Sequence, residues 1–154
     1  MKYIVKAPNN INATVTLPAS KSLSNRALLI SAMAHDANGG SMILPDNLSD
    51  CDDTDVIVSA LRDMPDVIDI KAAGTAMRFM TAYLSCRDGE EHVITGTDRM
   101  CHRPIKTLVD ALRSLGADIE YVGEEGYPPL RIRGRRLQGG RIAIPGNVSS
   151  QYIS

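Results

Sequence analysis

Pro18-Ala19-Ser20-Lys21-Ser22-Leu23-Ser24-Asn25-Arg26-Ala27-Leu28 joins a strand-like stretch to a helix whose opening turns carry cations where acids belong. The unpaired N–H groups of a helix start are partly positive, so Asp or Glu is the stabilising choice there. Ser20 can cap this helix, yet Lys21 follows at once and Arg26 comes barely a turn later. Helix-start N–H groups, hydroxyls and a cation together make a phosphate site. The chain is therefore expected to bind a phosphorylated or carboxylated small molecule.

The same breach recurs. A second helix is expected from Gly74-Thr75-Ala76-Met77-Arg78, again with a cation in its opening turns. A third is expected at Arg103-Pro104, with the proline in its favoured first helical position and the arginine just ahead. The helix near Asp52 to Met64 opens Asp52-Asp53-Thr54-Asp55, as the dipole argument requires, and serves as an internal control. Taken singly, Lys21, Arg78 or Arg103 also reads as a solvated surface cation. Their repetition favours the bound anion.

With 154 residues, 44% of them hydrophobic and 23% charged, the chain can bury one ordinary core. It has one Phe and no Trp, so that core must come from Ile, Val, Leu, Met and Ala. A net charge of −1 argues against a protein devoted to nucleic acid or acidic membranes. No basic-then-apolar leader opens the chain, no apolar run reaches membrane-spanning length, and the cytoplasm is the simple expectation. Cys51, Cys86 and Cys101 are odd in number and lack paired metal-ligand spacing, so no metal site is expected.

Strand-like and helix-like patterns alternate, which predicts an α/β (α+β) fold. Ile11 to Leu17 and the stretch around Ile142 to Ile144 alternate as strands do. The helix after Ser20 places Leu23, Ala27, Ile30 and Ala34 on one face; the helix after Gly74 runs through Met77, Met80, Tyr83 and Leu84 until Gly89. Strands around Ile119 and Ile132 pair through the Gly123–Gly126 turn, with Pro128 and Pro129 at an edge. Val58-Ser59-Ala60-Leu61-Arg62 matches Val109-Asp110-Ala111-Leu112-Arg113, and a further helix start, Gly146-Asn147-Val148-Ser149-Ser150-Gln151, follows the strand ending near Ile144. Tandem units are expected: 19–72, 73–137 and the beginning of a third at 138–154. Residues 1–18 are expected to form a strand belonging to a hinge or another domain. A helix stopping three or four residues after its start lacks the length to be stable, so the chain is expected to be part of a longer protein.

Leu17 to Arg26, Ala73 to Arg78, Arg103-Pro104-Ile105 with Leu108 to Leu112, and Gly146 to Gln151 together resemble the 5-enolpyruvylshikimate-3-phosphate synthases, the 3-phosphoshikimate 1-carboxyvinyltransferases of the shikimate pathway. The resemblance implies two domains of βαβαββ units in an inside-out α/β barrel, here incomplete, with helix starts from both domains facing a cleft. It implies a transferase of aromatic amino acid and chorismate biosynthesis, monomeric when complete. Its substrates are phosphoenolpyruvate and shikimate 3-phosphate, and no cofactor takes part. On this pattern Lys21, Ser22 and Arg26 bind shikimate 3-phosphate, with Lys21 also reaching phosphoenolpyruvate. Gly74 offers its N–H to phosphoenolpyruvate and Arg103 grips it; Ser149 and Ser150 hold the phosphate of shikimate 3-phosphate, and Gln151 touches both ligands. Thr75 and Arg78 support the site. The family's general acid and base are expected beyond Ser154, so this chain alone is expected to be inactive, and as a fragment to be capable of self-association.

Three departures stand out. Ala72 replaces the family's usual Asn, Phe79 its usual Pro, and the first unit is short, Val67 to Ala72 running almost directly into Gly74. Asp50, Asp52, Asp53 and Asp55 read as solvated loop and cap residues. Two other functions are weighed. The sister enolpyruvyl transferase acting on a UDP-linked N-acetylglucosamine carries a reactive Cys beside an Arg, as in Cys101-His102-Arg103, but Cys101 lacks flanking glycines. An RNA-binding βαβαββ module would use Arg131, Arg133, Arg135, Arg136 and Arg141, but no aromatic platform accompanies them, and a charged strand edge is preferred. No nucleic-acid or membrane partner is expected.

Overall fold

The computed structural model describes residues 3–39, 42–147 and 149–154. Its helices are α1 (Lys21–Asn38), α2 (Asp52–Asp63), α3 (Gly74–Ser85), α4 (Asp98–Cys101) and α5 (Lys106–Ser114); its strands are β1 (Val67–Asp69), β2 (Glu91–Thr95), β3 (Asp118–Tyr121) and β4 (Leu130–Arg133). A 3-10 turn, Ser150–Tyr152, lies near the end. The strands form one sheet in the order β1-β2-β4-β3, with β1 parallel to β2 and the other pairs antiparallel. Chain order and pairing together make β1-α3-β2-α5-β3-β4 one βαβαββ unit.

α3 is the middle layer. Ala76, Met77, Phe79, Met80, Thr81, Tyr83 and Leu84 are all buried, the pattern of a helix covered on every side. Beneath it lie Ile68, Ile94, Leu130 and Ile132 of the sheet, and above it Leu28, Leu29 and Ala32 of α1 with Ile57, Ala60 and Leu61 of α2, all in one core. The outer face of the sheet is polar. Across it Arg133 donates to Glu91 at 2.9 Å and to Glu120 at 3.4 Å, while Arg135 donates to Asp118. The repeated pentapeptide lies in α2 and α5, and in both copies the Leu, Leu61 and Leu112, is buried.

Several sequence expectations are corrected. Residues 3–20 carry no strand, and Tyr3, Ile4, Val5, Ile11, Val15 and Leu17 are exposed; the alternation is present but no described strand offers a ladder. The same holds for Ile142 to Ile144. β1 bonds to β2, so Val67 to Asp69 lies in the second unit's sheet and the boundary falls before Val67, not at 72. Pro128 and Pro129 stop just short of β4, a strand paired on both sides and not an edge. α5 begins at Lys106 with Ile105 at the cap position, so Pro104 precedes the helix and Arg103 lies in the turn after α4.

The face of α1 is also reversed. Ser24, Asn25, Leu28, Leu29 and Ala32 are buried, whereas Leu23, Ile30 and Met33 are 60–70% exposed. Polar partners turned the helix: Ser24 Oγ accepts from Ser49 N at 2.9 Å, and Thr54 Oγ1 donates to Asn25 Oδ1 at 3.0 Å. Among the described residues no helix is long and apolar enough to cross a membrane, and no three His, Cys, Asp or Glu could hold a metal.

A half-buried charge network closes the end of α3 away from Gly74. Tyr83 Oη donates to Asp36 at 2.8 Å, Arg87 pairs with Asp36 and with Glu90 at 2.6 Å, and His92 Nδ1 donates to the Pro65 carbonyl at 2.9 Å. Burial pushes the Asp36 carboxyl up, but hydrogen bonds from Arg87 and Tyr83 outweigh it and hold the group below its ordinary 3.8. The Arg87 hydrogen bond likewise holds Glu90 below its ordinary 4.5. Both folded values lie below the unfolded ones, so their stabilisation is full above about pH 4.5 and is lost as pH falls through the lowered values. Urea unfolding of Asp36→Asn at pH 7 is expected to show a loss on the order of 1 kcal/mol, shrinking below pH 4.5. An undiminished difference at pH 3 would remove the network's role.

Candidate functional site

The parallel pair β1 and β2 sets where the site can be. Chains leaving the carboxyl ends of parallel strands frame a crevice; here β1 leads into the start of α3, and β2 leads through Gly96 and α4 to Arg103. Thr97 N donates to the Lys71 carbonyl at 2.9 Å, which ties the two exits together. Gly96 is needed there because a Cβ would lie 2.5 Å from that carbonyl oxygen. Ala72, Thr97, Arg99, Met100 and Arg103 line a cavity of about 410 Å³ at this crevice.

Gly74 opens α3 under the Arg103 guanidinium. A Cβ on residue 74 would stand 2.9 Å from Arg103 Cζ. The glycine is therefore required for close approach, not for an unusual backbone angle. Arg78, one turn on and 7% exposed, donates from Nη1 to the Gly74 carbonyl at 2.8 Å, and its Cζ lies 5.3 Å from the centre of the Tyr152 ring. Arg78 Nε is buried and has no hydrogen-bond partner among the described residues.

The last residues close over this helix start. Ser149 caps the terminal turn, its Oγ accepting from Gln151 N at 3.2 Å. Gln151 Nε2 donates to Thr75 Oγ1 at 2.9 Å, and Tyr152 Oη donates to the Pro104 carbonyl at 3.0 Å. Ser154 Oγ accepts from Arg26 Nη2 at 2.7 Å, and Arg26 Nη1 donates to the Ser22 carbonyl at 3.1 Å and to Ser22 Oγ. Ser22 and Arg26 of α1, Gly74, Thr75 and Arg78 of α3, Arg103, and Ser149, Ser150 and Gln151 of the terminal turn thus belong to one connected end of the molecule. Val148, the middle of that last motif, lies outside the described residues.

Lys21 is held differently. Its Nζ lies 3.1 Å from Asp53 Oδ2, so the acid missing from the first turn of α1 is supplied by the first turn of α2. Asp53 is accordingly not a free cap residue, as its sequence context had implied, but the counter-charge of Lys21; the run of aspartates around it hid the distinction. Tyr152 and Phe79 were also missed as partners of arginines, since neither contact is local in sequence.

The remaining candidates are engaged elsewhere. Cys101 Sγ faces the Gly96 carbonyl at 3.6 Å. His102 is exposed, and its Nδ1 donates to the Asp98 carbonyl at 2.7 Å. Arg131, Arg133 and Arg135 are met by Glu91, Glu120 and Asp118, so these three of the five clustered arginines are balanced at the sheet, while Arg136 and Arg141 follow β4.

Comparison with known proteins matches this architecture. The family model described as EPSP synthase (3-phosphoshikimate 1-carboxyvinyltransferase) matches residues 5–68 and 64–154. The two stretches meet where the first unit is short. Two 3-phosphoshikimate 1-carboxyvinyltransferases from Bacteroides fragilis are 60% and 61% identical over all 154 residues, and the chain spans 36% of their length. One from Haemophilus influenzae is 40% identical over 184 aligned positions, with all of this chain and 41% of the relative covered. An EPSP synthase structure from Acinetobacter baumannii superposes with a TM-score of 0.74 at 25% identity, covering 90% of this chain and 35% of that one. The sheet, the buried helix and the conjoined helix starts are thus part of an enolpyruvyl transferase fold, and the chain belongs to the EPSP synthase family.

Proposed function

We propose that this chain supplies one anion-binding wall of an enzyme that transfers the enolpyruvyl group of phosphoenolpyruvate to the 5-hydroxyl of shikimate 3-phosphate, releasing phosphate. The observation that carries the reading is the convergence of Ser22, Arg26, Gly74, Thr75, Arg103 and Gln151 on one connected end of the molecule. Each substrate bears a phosphate and a carboxylate. Bringing the two together sets several negative charges in contact, and an array of fixed cations and N–H groups offsets that repulsion.

Each residue has a role in this reading. Lys21, Ser22 and Arg26 bind shikimate 3-phosphate, with Lys21 also reaching phosphoenolpyruvate. Ser149 and Ser150 hold its phosphate, and Gln151, fixed by Thr75, contacts both ligands. The Gly74 N–H and the Arg103 fork receive phosphoenolpyruvate, the planar guanidinium matching phosphate or carboxylate oxygens in pairs. Arg78 adds a buried positive charge behind them. The 5-hydroxyl adds to the enolpyruvyl carbon to give a tetrahedral intermediate, which then expels phosphate. The proton donor and acceptor come from residues beyond Ser154, so this chain binds without turning over. Residues 19–154 are read as an incomplete globular domain whose third unit begins near 138, in an enzyme of the cytoplasm.

Calorimetric titration of the chain with shikimate 3-phosphate is expected to give saturable binding tighter than inorganic phosphate or shikimate alone. Lys21→Ala abolishes it and Arg103→Ala abolishes binding of phosphoenolpyruvate, whereas Arg135→Ala, whose partner is Asp118, leaves both unchanged. Equal losses in all three would reduce the binding to nonspecific electrostatics, and no binding above phosphate would remove the proposed wall. Gly74→Ala is a separate test. Because the obstructed group is the end of a flexible side chain, its unfolding free energy should stay within about 1 kcal/mol of the parent. Phosphoenolpyruvate binding by the same variant should fall by about tenfold or more.

A further inference from the structure

Arg26 and Arg78 differ from Lys21, a cation of the same wall, in how they are held. Lys21 faces a carboxylate at 3.1 Å. Among the described residues no carboxylate lies within ion-pair distance of Arg26 or Arg78; each lies over an aromatic ring, Arg26 Cζ at 5.2 Å from the centre of Phe79 and Arg78 Cζ at 5.3 Å from that of Tyr152. The two supports have different electrical consequences. A carboxylate cancels the charge it holds, whereas the quadrupole of a ring attracts a cation and leaves its formal charge in place. An arginine on a ring is ordered and still fully positive toward an incoming anion.

Phe79 is the chain's single phenylalanine and is 9% exposed on the buried helix α3. With Leu29 and Ile30 of α1 it lines an apolar groove that reaches Arg26 at its end. The groove holds the ring, and the ring holds the guanidinium at 5.2 Å from its centre. Among the described residues, the remaining partners of Arg26 are the Ser22 carbonyl and the hydroxyls of Ser22 and Ser154, which bring no counter-charge. Phe79 also stands where the resemblance leads one to expect Pro. A proline has no aromatic face, so this support is a property of the present chain and not of that pattern.

We infer that Phe79 is a positioning residue for anion binding, its ring holding the Arg26 guanidinium between α1 and α3 without neutralising it. The inference rests on the proposed function for the identity of the anion, a phosphate- and carboxylate-bearing ligand such as shikimate 3-phosphate.

A double-mutant cycle on the 154-residue chain tests it: Phe79→Leu and Arg26→Ala, singly and together, with Phe79→Tyr as the conservative variant. Calorimetric titration with shikimate 3-phosphate is expected to show about fivefold weaker binding in Phe79→Leu, and binding close to the parent in Phe79→Tyr. In the Arg26→Ala background Phe79→Leu should change nothing further. An equal loss in both backgrounds, or no loss in either, overturns the positioning role and leaves a groove-filling side chain. The Arg26 Nε–H resonance of the unliganded chain gives a second readout. An upfield ring-current displacement that disappears in Phe79→Leu supports the stack, and its absence in the parent overturns it. If the parent does not bind shikimate 3-phosphate, the proposed function fails, and the same cycle run with inorganic phosphate decides the role of Phe79. Absence of phosphate binding as well overturns both.

Discussion

The structure depends on the burial of α3. A helix covered on all sides has no freedom to rotate, so each of its residues is committed to one neighbour. Met77, Met80 and Leu84 are fully buried between the sheet and the overlying helices. The same rotation fixes Gly74 under Arg103, Thr75 on Gln151 and Phe79 beneath Arg26. Packing in the core therefore determines geometry at the site, and the polar contacts at the helix start are consequences of apolar ones further along. Displacing α3 by part of a turn would separate all three contacts together.

Charge is handled by three separate devices in this small molecule. Across the outer sheet face, arginines and carboxylates stand opposite one another in the strand register and cancel. Such exposed pairs contribute little individually, but they leave that face nearly neutral. At the far end of α3, Asp36, Arg87 and Glu90 form a half-buried set whose value is structural. At the near end Arg26 and Arg78 lie on rings and hydrogen-bonding oxygens instead of acids, the device that also holds Arg113 at the Ile119 carbonyl and the Tyr121 ring. The chain's net charge of −1 conceals this separation completely.

Much of this was legible in the sequence, and the rest was not, for physical reasons. The helices after Ser20 and Gly74 and the one opening at Asp52 occur where caps, dipole preference and periodicity put them. The buried face of α1 was misread because Ser24 and Asn25, polar by composition, find partners in Ser49 and Thr54 that hydropathy cannot anticipate. The alternating stretches at 11–17 and 142–144 show that period alone does not make a strand; a neighbouring strand must accept its hydrogen bonds. The motif residues were legible as unusual choices at helix starts. What they touch was not, since Arg26 with Ser154 and Thr75 with Gln151 are 128 and 76 residues apart.

The contact between residue 74 and Arg103 has a further consequence, for how the two positions share space. The obstacle to a larger residue at 74 is the guanidinium of residue 103 and not the local backbone. That guanidinium ends a flexible side chain, so a methyl group at 74 moves the fork and leaves the helix start where it is. The smallest residue of the pair thus sets where the largest can rest, and the aim of the fork is decided by a side chain that is not there.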